Sequence, residues 1–339
     1  MFILAALSLE YEAVRQVDAG AVEGSQWEEE RRPNGLQVAF RAFHGKKGSR
    51  PLRVAVGLTT APGTVGTTTA LFPLVEEYHA RCVAMCGVYP ARPGNTNQGD
   101  VLVPDRLFFR DLGKRYPKVT PQDLMTYHLR HDWKEALKHF DFLGHLKDQD
   151  WWKNRPVPLP KQEAWLLMRL YEGVSKPWTL PECARYCPDW ERAFEKLALY
   201  SQVLPGGELT AKGREDAESR SRHEGPSPGL FPTEEQLPFH VHLKPMDSGS
   251  PFVDDLADWG EVTGSMRKAL GLEQEAAALD ALAMKGIMGF GLTGDDPFRE
   301  YAARTSAECV LAFLREHLEV EVAQQAVSSP DASGRDGLG

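Results

Sequence analysis

Gly271–Phe290 reads GLEQEAAALDALAMKGIMGF, in which Glu273 and Glu275 stand two residues apart ahead of an alanine-rich run and the short apolar stretch Met284–Phe290. Alanine is the strongest helix former, and acidic residues are favoured in a first helical turn. The segment therefore predicts a helix beginning near Glu273 and then a strand. Carboxylates at such a junction have two readings. On a surface helix they complement the positive end of the dipole. In a cleft the same pair grips the hydroxyls of a sugar, because buried carboxylates are costly unless something binds them.

Working outward, Phe2–Arg15, FILAALSLEYEAVR, is an apolar strand running into a helix with Glu10 at the junction. Val83–Asp105, VAMCGVYPARPGNTNQGDVLVPD, is a strand, a Gly-rich turn and a second strand. Further strands are predicted at Leu36–Phe43, Leu52–Leu58 and Phe239–Lys244. Helices are predicted over Thr64–Tyr78, where Pro73 should bend the axis, and over Thr305–Val320. Strands alternating with helices predict an α/β fold with a mixed central sheet.

Four blocks in this order, Phe2–Arg15, Val83–Asp105, Gly271–Phe290 and Lys285–Leu318, resemble the nucleoside phosphorylase / methylthioadenosine nucleosidase superfamily. Its ribose-binding pattern runs Glu-Met-Glu-x-Ala-Ala. The resemblance spans roughly residues 1–115 and 238–318. It implies cleavage of the N-glycosidic bond of a purine nucleoside or nucleotide. Glu275 and Glu273 match the two family glutamates, Glu275 being the one that bonds the ribose hydroxyls. Gln274 replaces the methionine beneath the sugar. Glu10 matches the glutamate that orients the attacking water in hydrolytic members. Without a ligand, the same Glu10 is a first-turn residue stabilised by the helix dipole. Cys86, Gly87 and Val88 match the turn along the nucleoside, and Met246 opens the turn that approaches the ribose. Gly63, in Ala61–Gly66 (APGTVG), matches the loop where phosphorolytic members hold phosphate, but no Lys or Arg stands there. Hydrolysis is therefore expected over phosphorolysis.

Two departures stand against this. The family's proton-donating Asp is replaced by Gly289, and the connection between the Glu273 helix and the next strand is too short for an ordinary helix-to-strand loop of ~2–6 residues. A non-catalytic nucleoside- or nucleotide-binding sensor or partner subunit is the alternative. Cys187–Trp190 (CPDW) resembles a stretch in bacterial members tied to phage-defence loci, which implies ATP as a substrate and a defence complex or homo-oligomer as the assembly.

The organisation predicted is a first α/β part over 1–118, an α-rich winged-helix-like insert over 119–237, a second α/β part over 238–320 and a disordered tail over 321–339. The insert follows from helical patterns at Gln162–Tyr171, Leu180–Tyr186 and Pro188–Tyr200, a hairpin at Val203–Thr210 and a helix from Ala211. Between Lys161 and Arg222 ten Lys/Arg balance ten Asp/Glu. That balance favours protein contact over DNA, which is bound chiefly by neutralising phosphates.

The whole chain of 339 residues carries a net charge of −9, which argues against general nucleic-acid binding. Five cysteines, an odd number, predict reduced thiols in the cytoplasm, and no apolar run approaches the ~20 residues of a membrane span. His240 and His242, two apart on a strand, are assigned to structure or substrate contact, since two ligands do not make a metal site. No metal and no cofactor are expected.

Overall fold

The computed structural model describes residues 1–32, 36–46, 49–59, 73–92, 94, 96–109, 125–224, 237–248, 272–273, 282–290 and 297–318. Gly63, Gln274, Glu275, most of the helix predicted over Thr64–Tyr78 and the polar tail lie outside them. In chain order the strands are β1 (Phe2–Ala5), β2 (Glu28–Arg31), β3 (Gln37–Phe43), β4 (Leu52–Leu58), β5 (Val83–Pro90), β6 (Val101–Phe109), β7 (Met125–His128), β8 (Val241–Ser248), β9 (Leu272–Glu273) and β10 (Leu282–Gly289). The helices are α1 (Ser8–Arg15), α2 (His131–His139), α3 (Phe142–Leu146), α4 (Leu159–Tyr171), α5 (Cys183–Tyr186), α6 (Trp190–Leu199), α7 (Ala211–Glu224) and α8 (Phe298–His317).

The strands form one mixed sheet in the order β2-β3-β4-β1-β5-β10-β6-β8-β9, with β7 paired to β6. The α/β architecture with a mixed central sheet is therefore as the sequence predicts. At its centre β1, β5 and β10 run parallel. Strands covered on both faces read as continuous apolar runs, and FILA and VAMCGVYP do. Alternation splits them cleanly. Ile3, Ala5, Cys86, Val88, Leu282 and Met284 face α1 and α8 in the main core. Ala6, Met85, Tyr89, Ala283 and Ile287 face the opposite side, with Leu102, Leu107 and Met246.

That second face is concave. From β5 to β9 the sheet takes four steps, which in a flat sheet of ~4.8 Å spacing would separate them by about 19 Å. Cα atoms of β9 nevertheless come within 8 Å of β5. Register shifts at Ile287/Gly289 and at Pro104/Leu107 break the ladders along this path, and such irregularities bend strands.

On the other face α8 lies unusually close to the sheet. The Gly87 N–H donates to Ser306 Oγ (2.8 Å), and that hydroxyl donates to the Met284 carbonyl (2.8 Å), so one side chain stitches β5 and β10 to the helix. Gly286 makes the approach possible: a methyl there would sit 2.5 Å from the Ala302 carbonyl carbon.

Two predicted boundaries shift. Leu272–Glu273 is extended and pairs in parallel with Asp247–Ser248, while residues 274–281, over which the helix is predicted, lie outside the described residues. The strand after it begins at Leu282 rather than Met284, and the closing helix begins at Phe298 rather than Thr305. β7 extends the main sheet, while Leu137, Leu146 and Trp152 bury themselves in the main core. A separate apolar cluster spans Trp165 to Ala217 across α4, α5, α6 and α7, with a bridge between Val203 and Leu209. Cys183 and Cys187 are buried in it as thiols.

Within α8, Glu308 is 1% exposed and pairs with Arg304 at 2.6 Å. Burial pushes its carboxyl up from 4.5 to about 7, with Arg304 opposing. The folded state therefore holds this proton more tightly than the unfolded chain does. The resulting penalty is absent below about pH 4.5, grows as pH rises to about 7 and is constant above. Glu308→Gln should match the wild type in acid and exceed it at pH 8 by on the order of 2–3 kcal/mol. Denaturant melts at pH 4.5 and pH 8 check this; an equal difference at both would refute it.

Candidate functional site

Glu10 lies in the first turn of α1, where the chain leaves β1, and it is 1% exposed. Its Oε2 accepts from the Ala6 N–H (2.8 Å) and the Leu7 N–H (3.0 Å), and its Oε1 accepts from the Val88 N–H (2.7 Å). The carboxylate thus occupies the tip of β1 and reaches across to β5. A side chain at position 87 would overlap Glu10 Oε1, so glycine leaves the room the carboxylate uses.

By strand alternation, position 87 faces the concave side, as Met85 and Tyr89 do. Lys285 of β10 pairs with Gly87 in parallel register and points the same way. It is 1% exposed, a cation in the middle of the otherwise uncharged strand LAMKGIMG. The Cys86 thiol registers both charges. Burial raises its pKa far above the ordinary range, the Glu10 carboxylate adds to the rise, and Lys285 opposes it. Long-lived charges so deeply buried are tolerated when paired or hydrogen-bonded, and they concentrate at functional sites.

Of the residues predicted from sequence, Glu10 and Gly87 meet directly, and Met246 is fully buried in the apolar wall beside Ala6 and Tyr89. The side chains of Cys86 and Val88 face α8 instead, and Val88 contributes its N–H. The backbone of Glu273 reaches the concave side through β9. Gly289 is buried, and its carbonyl accepts from the Ala91 N–H (2.9 Å).

His242 has a structural partner. The fully buried Asp100 carboxylate accepts from the Asn97 N–H (2.9 Å) and the His240 N–H (2.9 Å) and lies 2.8 Å from His242 Nε2. Among the described residues no group of three metal-ligating side chains converges.

Sequence reasoning missed Lys285 and Tyr89. A lone lysine inside an apolar strand was the available signal for the first. For Tyr89 there was none, because its significance lies in a hydroxyl that is buried without a hydrogen-bond partner among the described residues. Such a group costs about 1–3 kcal/mol.

No family model and no curated protein matches the sequence. Solved structures do match in fold. The futalosine hydrolase of Helicobacter pylori aligns over 92% of this chain and 96% of its own, with a TM-score of 0.51 and 13% identity. The 5′-methylthioadenosine/S-adenosylhomocysteine nucleosidase of the same organism aligns over 92% and 96%, with a TM-score of 0.50 and 13% identity. That of Colwellia psychrerythraea, in complex with adenine, aligns over 92% and 93%, with a TM-score of 0.50 and 12% identity. The chain therefore has the nucleoside phosphorylase/nucleosidase fold.

Proposed function

We propose that this protein is a nucleosidase that hydrolyses the N-glycosidic bond of a purine nucleoside or nucleotide. The observation that carries this reading is the Glu10 carboxylate, held by three backbone N–H groups against the gap at Gly87 on the concave face. Breaking the bond between C1′ and the base builds positive charge on the ribose. A fixed carboxylate stabilises that charge and orients a water for attack. The water oxygen bonds to C1′, the electron pair of the broken bond leaves with the base, and the water's proton passes by way of Glu10 to the departing base. Glu275 and the neighbouring Glu273 and Gln274 would hold the ribose hydroxyls, with Met246 in the apolar wall. Lys285 would keep the Glu10 carboxylate and the water in place.

The finer reading, an adenine nucleotide such as ATP cleaved in phage defence, rests on the likeness of Cys187–Trp190 to defence-associated proteins. With it goes a winged-helix-like insert used for protein contact. A second reading is favoured by Gly289: a nucleotide-binding sensor that lacks the usual acid and does not turn over.

Incubation of the protein with ATP, AMP, adenosine, methylthioadenosine and a guanine nucleotide, with and without phosphate, tests the proposal. Free base without phosphate is expected from at least one. Base release only with phosphate would make the protein a phosphorylase and remove the role given to Glu10. A thermal shift without release would favour the sensor. Glu275→Ala is expected to weaken nucleoside binding by about 100-fold or more, since charge-assisted hydrogen bonds to both ribose hydroxyls are worth ~1.5–3 kcal/mol each. Unchanged affinity by calorimetry would move the ribose site elsewhere.

A further inference from the structure

Gly289 leaves the site without a side chain where a leaving base needs a donor, yet one polar atom nearby has nothing to bond. Tyr89 is 1% exposed, and its hydroxyl is buried with no hydrogen-bond partner among the described residues. The ring stands on the concave face, two residues beyond Gly87 and so on the same side as the Glu10 carboxylate. It packs in the cluster that holds Met246 and Ile287, with Phe290 against it. In strand register Tyr89 pairs with Ile287, and its neighbour Pro90 pairs with Gly289, so the phenol and the vacant position are adjacent across β5 and β10. Asp100, whose charge acts on Tyr89, is already engaged by Asn97, His240 and His242.

We infer that the Tyr89 hydroxyl is the donor that holds the leaving base, in place of the side chain that Gly289 lacks. The inference rests on the nucleosidase reading. As the bond to C1′ breaks, its electron pair moves onto the base, and the Tyr89 O–H strengthens its hydrogen bond to a ring nitrogen that gains this charge. The phenol keeps its own proton throughout: burial, with Asp100 adding, raises it well above the ordinary range. The proton that completes the free base is the one released by the attacking water. The hydroxyl, unpartnered among the described residues, is then satisfied by the base, which directs binding energy to the reacting end of the substrate.

Tyr89→Phe removes one oxygen and nothing else. Turnover of the nucleoside that the wild type cleaves is expected to fall about 100-fold or more in kcat, the range of a lost acid or donor, with KM changed little. The melting temperature should stay level or rise, because an unpartnered buried hydroxyl disappears. The same variant is assayed on p-nitrophenyl β-D-ribofuranoside, whose leaving group departs as a stable anion without a donor; there it should stay within about threefold of the wild type. Wild-type turnover of the nucleoside by Tyr89→Phe overturns the assignment. So does an equal loss on both substrates, which would mark a packing role. A wild-type protein that cleaves neither compound overturns the nucleosidase reading itself, and this assignment with it.

Discussion

Glu10→Ala is expected to destabilise the fold by about 3–6 kcal/mol and to abolish base release. The two effects have one origin. Three N–H groups, of Ala6, Leu7 and Val88, donate to this carboxylate, and at least two of the bonds are fully buried. Each donor stranded away from water costs ~1–3 kcal/mol, with the sum less than additive. The variant also leaves the buried Lys285 without the carboxylate that shares its end of the sheet. Glu10→Gln separates stability from chemistry. It keeps one oxygen to accept from the main chain, so it should recover part of the stability while its neutral amide still fails the developing ribose charge. At least about a 100-fold loss of turnover is expected in a folded Glu10→Gln protein. Denaturant titration and a base-release assay on both variants decide it. Full stability in Glu10→Ala would refute the backbone clamp, and undiminished turnover in Glu10→Gln would refute the chemical role.

Gly286→Ala is expected to cost about 3–5 kcal/mol, enough to leave little folded protein. The added methyl would meet the Ala302 carbonyl carbon at 2.5 Å and its Cα at 2.9 Å. Both are backbone, so no rotamer change relieves the clash. Either α8 lifts from β10 or the strand moves, and either breaks the Ser306 stitch between Gly87 and Met284. Urea melts and the soluble yield of Gly286→Ala check this. A variant with wild-type stability would mean that helix and strand separate easily.

Much of the architecture was legible because the central strands are long apolar runs bounded by Gly, Pro and charge. The bounds predicted for Leu52–Leu58 are those of β4. Local pattern failed where a distant partner decides the conformation. Glu273 itself, at the edge of the alanine-rich run, is extended because β8 lies beside it. The N-terminal turn of α8 carries Phe298 and Tyr301 into the core, although Arg299 and Glu300 between them read as polar. Of the candidate site, Glu10 and Gly87 were readable from the strand–helix junction and the Gly-bearing strand end. Their contact was not, since it depends on β1 lying beside β5. Lys285 and Tyr89 needed the sheet to show that their side chains share the concave face.

The position of β10 has a consequence for synthesis. β5 and β6 follow each other closely in sequence, yet they do not pair, because β10 lies between them. The ribosome completes β6 at Phe109 and does not reach Leu282 until much later. At ~5–20 residues per second the interval is roughly 10–35 s. Throughout that time the nascent chain carries an open slot with two unpaired strand edges, and Glu10 faces a half-built wall. Such edges recruit other chains, so a holdase or fast translation through the insert would protect the slot until its own strand arrives.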